Sequence, residues 1–101
     1  EYAIAQCPGD IDSPTVLAAQ TANELLDISG IKASFVLTVY EGKIYMSARS
    51  IDEVNVQIIA EKLGGGGHIN SAGAQFDHTN IEEAVNALKE TIDKMIEEGD
   101  I

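Results

Sequence analysis

A chain of 101 residues has room for one domain with one hydrophobic core, and none of its apolar runs reaches the ~18 residues of a membrane-spanning helix. Its composition, 45% hydrophobic and 23% charged, is that of a globular protein, and a single cysteine, Cys7, excludes an internal disulfide. The net charge of −11, with six basic residues, excludes the basic stripe that grips a long polynucleotide, so an anionic ligand should be small and held at one local site.

The first residue is Glu1, and the chain runs at once into a strand-like segment, so a piece excised from a longer protein is expected. Residues 2–7 read as a short, largely buried strand, with Cys7 as a small core residue, and Pro8, Gly9 and Asp10 break it. Ser13 and Pro14 signal a helix start; the helix carries Val16, Ala19, Ala22, Leu25, Leu26 and Ile28 to about Ser29, with Gly30 as its cap. Residues 33–40, rich in β-branched and aromatic side chains, predict a central strand, and residues 44–50 the second strand of a hairpin. In that second strand Ile44, Met46 and Ala48 share one face, Tyr45, Ser47 and Arg49 the other.

Asn55 can cap a second helix bearing Val56, Ile59, Ala60 and Leu63, which residues 64–67 end. Residues 74–77 look like a last short strand. Asn80 and Glu83 form a capping box for a third helix with Ile81, Val85, Leu88, Ile92 and Met95 on its stripe, widened by Ala84 and Ile96. The order is β-α-β-β-α-β-α, an α+β (mixed α/β) domain over residues 1–101 with one small mixed sheet and helices packed on it.

The segment with chemical content is the glycine run from Gly64 to Gly67, together with residues 68–73. Ordering four glycines is costly in backbone entropy. One reading is a tight loop; the other is a loop without side chains, where a ligand approaches the main chain and N–H groups form an anion-binding nest. The helix before the loop turns its negative end toward it, so favourable terms must come from elsewhere. Residues 68–72 could start a short helical turn, with Gly73 as its left-handed terminator, whose free N–H groups supply them. Arg49, a planar fork of donors, and His68 are the natural side-chain partners.

Bland alternatives stand beside these. Arg49 can be a solvated or salt-bridged strand residue, His68 a structural hydrogen-bonding group, and Asn70 and Ser71 turn formers. Asp77 and His78 suit capping and solvent. No metal-ligand spacing and no paired histidines occur, the 17 acidic residues are scattered, and no hydrolytic site can be assembled from this chain alone.

The stretch Gly65-Gly66-Gly67-His68-x-x-Ser71-Ala72-Gly73 resembles the glycine-histidine motif (GGGH-x-x-A-A-G) of the DHH-associated C-terminal domain. Ser47 to Ser50, then Val54, Asn55, Val56 and the helix to Leu63, are similar to the segment preceding that motif, and the order of elements agrees over nearly the whole chain. Residues 15–20 and 32–37 look closest to the membrane-anchored bacterial cyclic-di-AMP phosphodiesterases. The resemblance implies an upstream DHH domain in the same chain that binds two manganese ions and activates water. This domain would close over a cyclic dinucleotide or short oligonucleotide on the cytoplasmic side. It implies Arg49 and Ser50 at phosphate, Gly65, Gly66 and Gly67 lining the approach, His68 near the scissile group, and Asn70, Ser71, Ala72 and Gly73 completing the pocket floor. Ser71 stands where the family has alanine, adding a hydroxyl. Asp77-His78-Thr79 is not the DHH triad, so this chain alone should bind and not cleave.

Alternatives are the same domain in a nanoRNA or phosphoadenosine-phosphate phosphatase, and a nucleic-acid-binding accessory domain like that of alanyl-tRNA synthetase. A non-catalytic interaction module, whose glycine loop merely makes a turn, is the remaining one. A homodimer of the parent is compatible with the sequence.

Overall fold

The computed structural model describes residues 2–7, 14–52, 54–77 and 79–99. Its elements are β1 (Tyr2–Cys7), α1 (Pro14–Leu25), β2 (Ala33–Tyr40), β3 (Lys43–Ser50), α2 (Val56–Lys62), β4 (Gly66–His68), β5 (Ser71–Phe76) and α3 (Ile81–Glu98). The strands form one sheet in the order β1-β2-β3-β5-β4, with β1 parallel to β2 and the other pairs antiparallel. The expected class and order hold, with Gly66–His68 added as a short strand at the sheet edge. No helix among the described residues is long and apolar enough to cross a membrane.

Strict alternation builds the core. Phe35, Leu37, Ile44, Met46, Ala48, Ala72 and Ala74 share one face of the sheet and pack with Val56, Ile59 and Ala60 of α2 and Ala84, Leu88, Ile92 and Met95 of α3. On the opposite face, Ala18 and Ala22 of α1 lie on Val36, with Ala5 and Leu25 at their margin. Small residues let α1 sit close, and Ser34 Oγ, fully buried there, donates to the Ala22 carbonyl at 2.6 Å.

Local signals fix most element ends. Glu41 (φ 51°) and Gly42 (φ 77°) are both left-handed, the type I′ geometry that suits a two-residue hairpin, so β3 begins at Lys43 opposite Tyr40. Asn55 Oδ1 accepts from the Ile58 N–H and Asn80 Oδ1 from the Glu83 N–H, capping α2 and α3. The Glu83 carboxylate accepts from the Thr79 hydroxyl at 2.7 Å.

Three expectations are corrected. α1 ends at Leu25 rather than near Ser29: the N–H groups of Leu26, Asp27 and Ile28 turn back to carbonyls three residues earlier, tightening the chain where Asp27, Ile28 and Ser29 favour helix poorly. Val16, Ile28 and Ile96 are about half exposed and lie outside the core. Residues 68–72 form no helical turn. β4 and β5 make a hairpin around Ile69 and Asn70, β5 starts at Ser71 instead of Ala74, and Gly73 is not left-handed. The Ser13 cap, the break at residues 8–10, His78 and the side chain of Cys7 lie outside the described residues.

Candidate functional site

The hairpin register sets the site. Across β2, β3, β5 and β4, Ser34 faces Arg49, Arg49 faces Ser71 and Ser71 faces His68; directly opposed residues project from the same face. The next row in is Val36, Ser47, Gly73 and Gly66, and the third is Thr38, Tyr45 and Gln75. Successive rows are about 6.8 Å apart, two residues along a strand. α1 covers this face over β2 and β3. Beyond it, β5 and β4 present a polar ledge at the margin of the half-buried Arg49: Ser71 and His68 in the row of Arg49, and Gly73 and Gly66, without side chains, in the next.

In the first row His68 and Ser71 are exposed and Arg49 is half-buried. Arg49 Nη1 donates to the carbonyls of Ala48 at 2.8 Å and Ala72 at 3.5 Å. Its hydrogen bonds among the described residues go to main chain rather than to a carboxylate, leaving Nε and Nη2 as donors for a ligand. Ala48 and Ala72 pair directly across β3 and β5, so these bonds hold the guanidinium down against the sheet.

The glycines divide by role. A Cβ on Gly67 (φ 147°) would stand 2.5 Å from Ala72 Cα and 2.6 Å from the Ser71 carbonyl oxygen; one on Gly65 would stand 2.7 Å from Ala74 Cα. These two let β4 lie tight on β5 and serve the fold. Gly73 is constrained more mildly, its Cβ falling 2.9 Å from the Met46 carbonyl oxygen. At Gly66 a Cβ would meet nothing within 4 Å, so its bare main chain faces open space. Two of the four glycine N–H groups are not available to the anion nest expected of this loop. The N–H groups of Gly64 and Gly65 bond to the Glu61 and Ala60 carbonyls at 3.1 and 2.8 Å, because the last turn of α2 needs donors.

Ser50, Asn70 and Ala72 lie behind the ledge. Ser50 is buried, its Oγ donating to the Val54 carbonyl at 2.6 Å and accepting from Asn70 Nδ2 at 2.8 Å. Asn70 Nδ2 also reaches the Asp52 and Val54 carbonyls at 3.3 and 3.4 Å. Main-chain bonds from Ser50 N–H to the Asn70 carbonyl and from Val56 N–H to the Ile69 carbonyl complete a clasp between the β4–β5 turn and the β3–α2 connection. Ala72 is core. The structure thus brings Arg49, Ser71, His68, Gly66 and Gly73 to one surface and sets Ser50, Asn70, Ala72, Gly65 and Gly67 to holding it.

Two further residues of this face carry no signal of a site in the sequence. Alternation along the strand puts Tyr45 on the face of Arg49, but nothing marks it as part of a site. Gln75 needs the register with β3, which only the fold supplies. The Tyr45 ring packs against Tyr40, centroids 6.4 Å apart and planes tilted by 51°, and Gln75 Nε2 donates to Asp77 Oδ1 at 2.9 Å.

Among the described residues no group of three or more His, Cys, Asp or Glu could hold a metal ion. The ledge offers side-chain donors beside main chain that carries no side chain. Fold and site together define an α+β domain built around a glycine-rich edge hairpin.

The chain belongs to the DHHA1 domain family, whose model matches residues 1–98. It is 45% identical over 102 residues to the cyclic-di-AMP phosphodiesterase GdpP of Geobacillus thermodenitrificans, covering 98% of this chain and 16% of that protein. It is 46% identical over 92 residues to the cyclic-di-AMP phosphodiesterase PdeA of Listeria monocytogenes, covering 90% of this chain and 14% of that one. The chain thus spans about a sixth of the length of these relatives. The fold is shared with an exopolyphosphatase-related protein from Bacteroides fragilis at a TM-score of 0.77 and 23% identity, over 89% of this chain and 28% of that one.

Proposed function

We propose that this chain is the substrate-holding part of a DHH-family phosphodiesterase and that the ledge receives cyclic-di-AMP or its linear product. The observation that carries the reading is the single cross-strand row of Arg49, Ser71 and His68 beside the open main chain of Gly66. Identity to two cyclic-di-AMP phosphodiesterases supports the choice of ligand. On this reading Arg49 offers its free N–H groups to a phosphate, the Ser71 hydroxyl and the His68 ring lie within the same row, and Gly66 lets the phosphate come against the backbone. Hydrolysis belongs to a separate DHH domain carrying two manganese ions, in a membrane-anchored parent whose catalytic part is cytoplasmic.

The test is titration of the chain with linear diadenylate, monitored by nuclear magnetic resonance. Binding should shift the amides of Gly66, His68 and Ser71, and Arg49→Ala should weaken it by about 1.5–3 kcal/mol, the worth of hydrogen bonds to a charged group. Folding should be little changed, since Arg49 lies off the core face. Unaltered affinity in a folded Arg49→Ala chain would return Arg49 to the status of a surface residue.

A further inference from the structure

The two edges of the sheet are built differently. β4 is three residues long, and so short a strand leaves few main-chain groups for another chain to pair with. β1 is six residues long, Tyr-Ala-Ile-Ala-Gln-Cys, with neither a charge nor a proline, the devices that discourage pairing at an edge. Among the described residues no strand lies beyond it. On the core face β1 also borders a groove of about 280 Å³, lined by Tyr2, Ile4, Lys89, Ile92, Asp93 and Ile96. Tyr2 stacks on Phe35 there, ring centroids 6.4 Å apart. Ile96, on the apolar stripe of α3, is 52% exposed.

A strand added to β1 would extend the sheet and bring its own packing onto the groove. The charges say which strand. With a net charge of −11 the chain as a whole repels another copy, whereas the groove carries one charge of each sign. Lys89 and Asp93 are both exposed and stand four residues apart on α3. Lysine N-terminal to aspartate is the weaker order for a pair within one helix. When two copies join β1 to β1 antiparallel, the two-fold axis runs through the sheet, and both α3 helices lie on the same face in opposite directions. Crossing near Thr91, midway between the two charges, they set Lys89 of each copy against Asp93 of the other. Ile92 and Ile96 of the two copies then close over the joined grooves. An unrelated chain would have to supply this pattern of charge and apolar surface; a second copy already carries it.

We propose that the β1 edge and the groove between β1 and α3 are a dimerisation surface, occupied by a second copy of this chain through antiparallel β1–β1 pairing. The surface lies at the end of the sheet away from β4 and stands independently of the phosphate reading. Sedimentation velocity of the chain, from micromolar to millimolar concentration, should show a reversible monomer–dimer equilibrium. Lys89→Glu and Asp93→Lys each turn both opposite-sign pairs into like-sign pairs, and each should weaken association at least about tenfold. Both positions are exposed, so circular dichroism should show each variant folded. An equimolar mixture of the two variants should associate again, because every pair across the two-fold axis is then opposite in sign. If either variant does not fold, contacts between isotope-labelled and unlabelled copies of the unaltered chain decide: the Ile96 methyl groups should show them. A chain that stays monomeric at every concentration overturns the proposal. So does a dimer indifferent to both substitutions, a mixture of folded variants that remains monomeric, or a dimer whose intermolecular contacts leave Ile96 out.

Discussion

Ser34 and Ser71 stand in one row of one sheet face, either side of Arg49, and do opposite work. Ser34 lies under α1, fully buried, its hydroxyl committed to the Ala22 carbonyl. Ser71 lies beyond the helix, exposed. The lesson is that α1 divides a continuous surface into a closed half, where small side chains serve packing, and an open half, where the same chemistry is left for a ligand. Neither residue type nor strand position distinguishes the two halves; only the reach of the helix does.

Substitutions that probe closed packing should cost stability, and those on the open ledge should cost binding. The largest stability effect is expected at Gly67, which belongs to packing although it sits in the glycine run. Gly67→Ala forces a methyl group into Ala72 and the Ser71 carbonyl at a φ unfavourable to alanine, and should destabilise by about 2–3 kcal/mol in chemical denaturation. Next comes the serine pair. Ser34→Ala leaves the Ala22 carbonyl without its donor and should cost about 1–2 kcal/mol, whereas Ser71→Ala should stay within about 0.5 kcal/mol. A similar loss at both positions would erase the division.

No loss of stability is expected at Gly66, where an added methyl meets only open space and φ is not left-handed. Gly66→Ala should leave stability unchanged or raise it by up to about 1 kcal/mol through the unfolded chain. Linear diadenylate binding should nevertheless fall about tenfold or more, about 1.4 kcal/mol, because the methyl stands where the ligand approaches. A melting temperature that falls while affinity holds would make Gly66 a turn residue like its neighbours.

How much of this can be read in the sequence varies with the range of the interaction involved. Alternation in Ile44, Met46 and Ala48 reveals the core face of β3, and Asn55 and Asn80 mark two helix starts, because strand period and capping are local properties. Arg49 and His68 are legible as donors but not as row-mates. Ile69, Asn70, Ser71 and Ala72 carry no clear period, so the sequence suggests a helical turn where the hairpin of β4 and β5 forms. The close approach of Gly65 and Gly67 to β5 decides that segment, a contact between strands rather than a propensity. The glycine N–H groups are expected to face an anion; two of them answer instead to the unpaired carbonyls of α2, a demand visible only once the helix end is located.

The clasp of Ser50 and Asn70 has a consequence for how the molecule opens. Because the β4–β5 turn holds the β3–α2 connection, and the first N–H of α2 bonds to the Ile69 carbonyl, the hairpin cannot peel from the sheet without loosening that helix. The ledge and α2 therefore form one cooperative unit of local unfolding. A ligand resting on the hairpin raises the free energy of opening for the whole unit, and so protects the main chain of a helix on the opposite side of the sheet that it never touches.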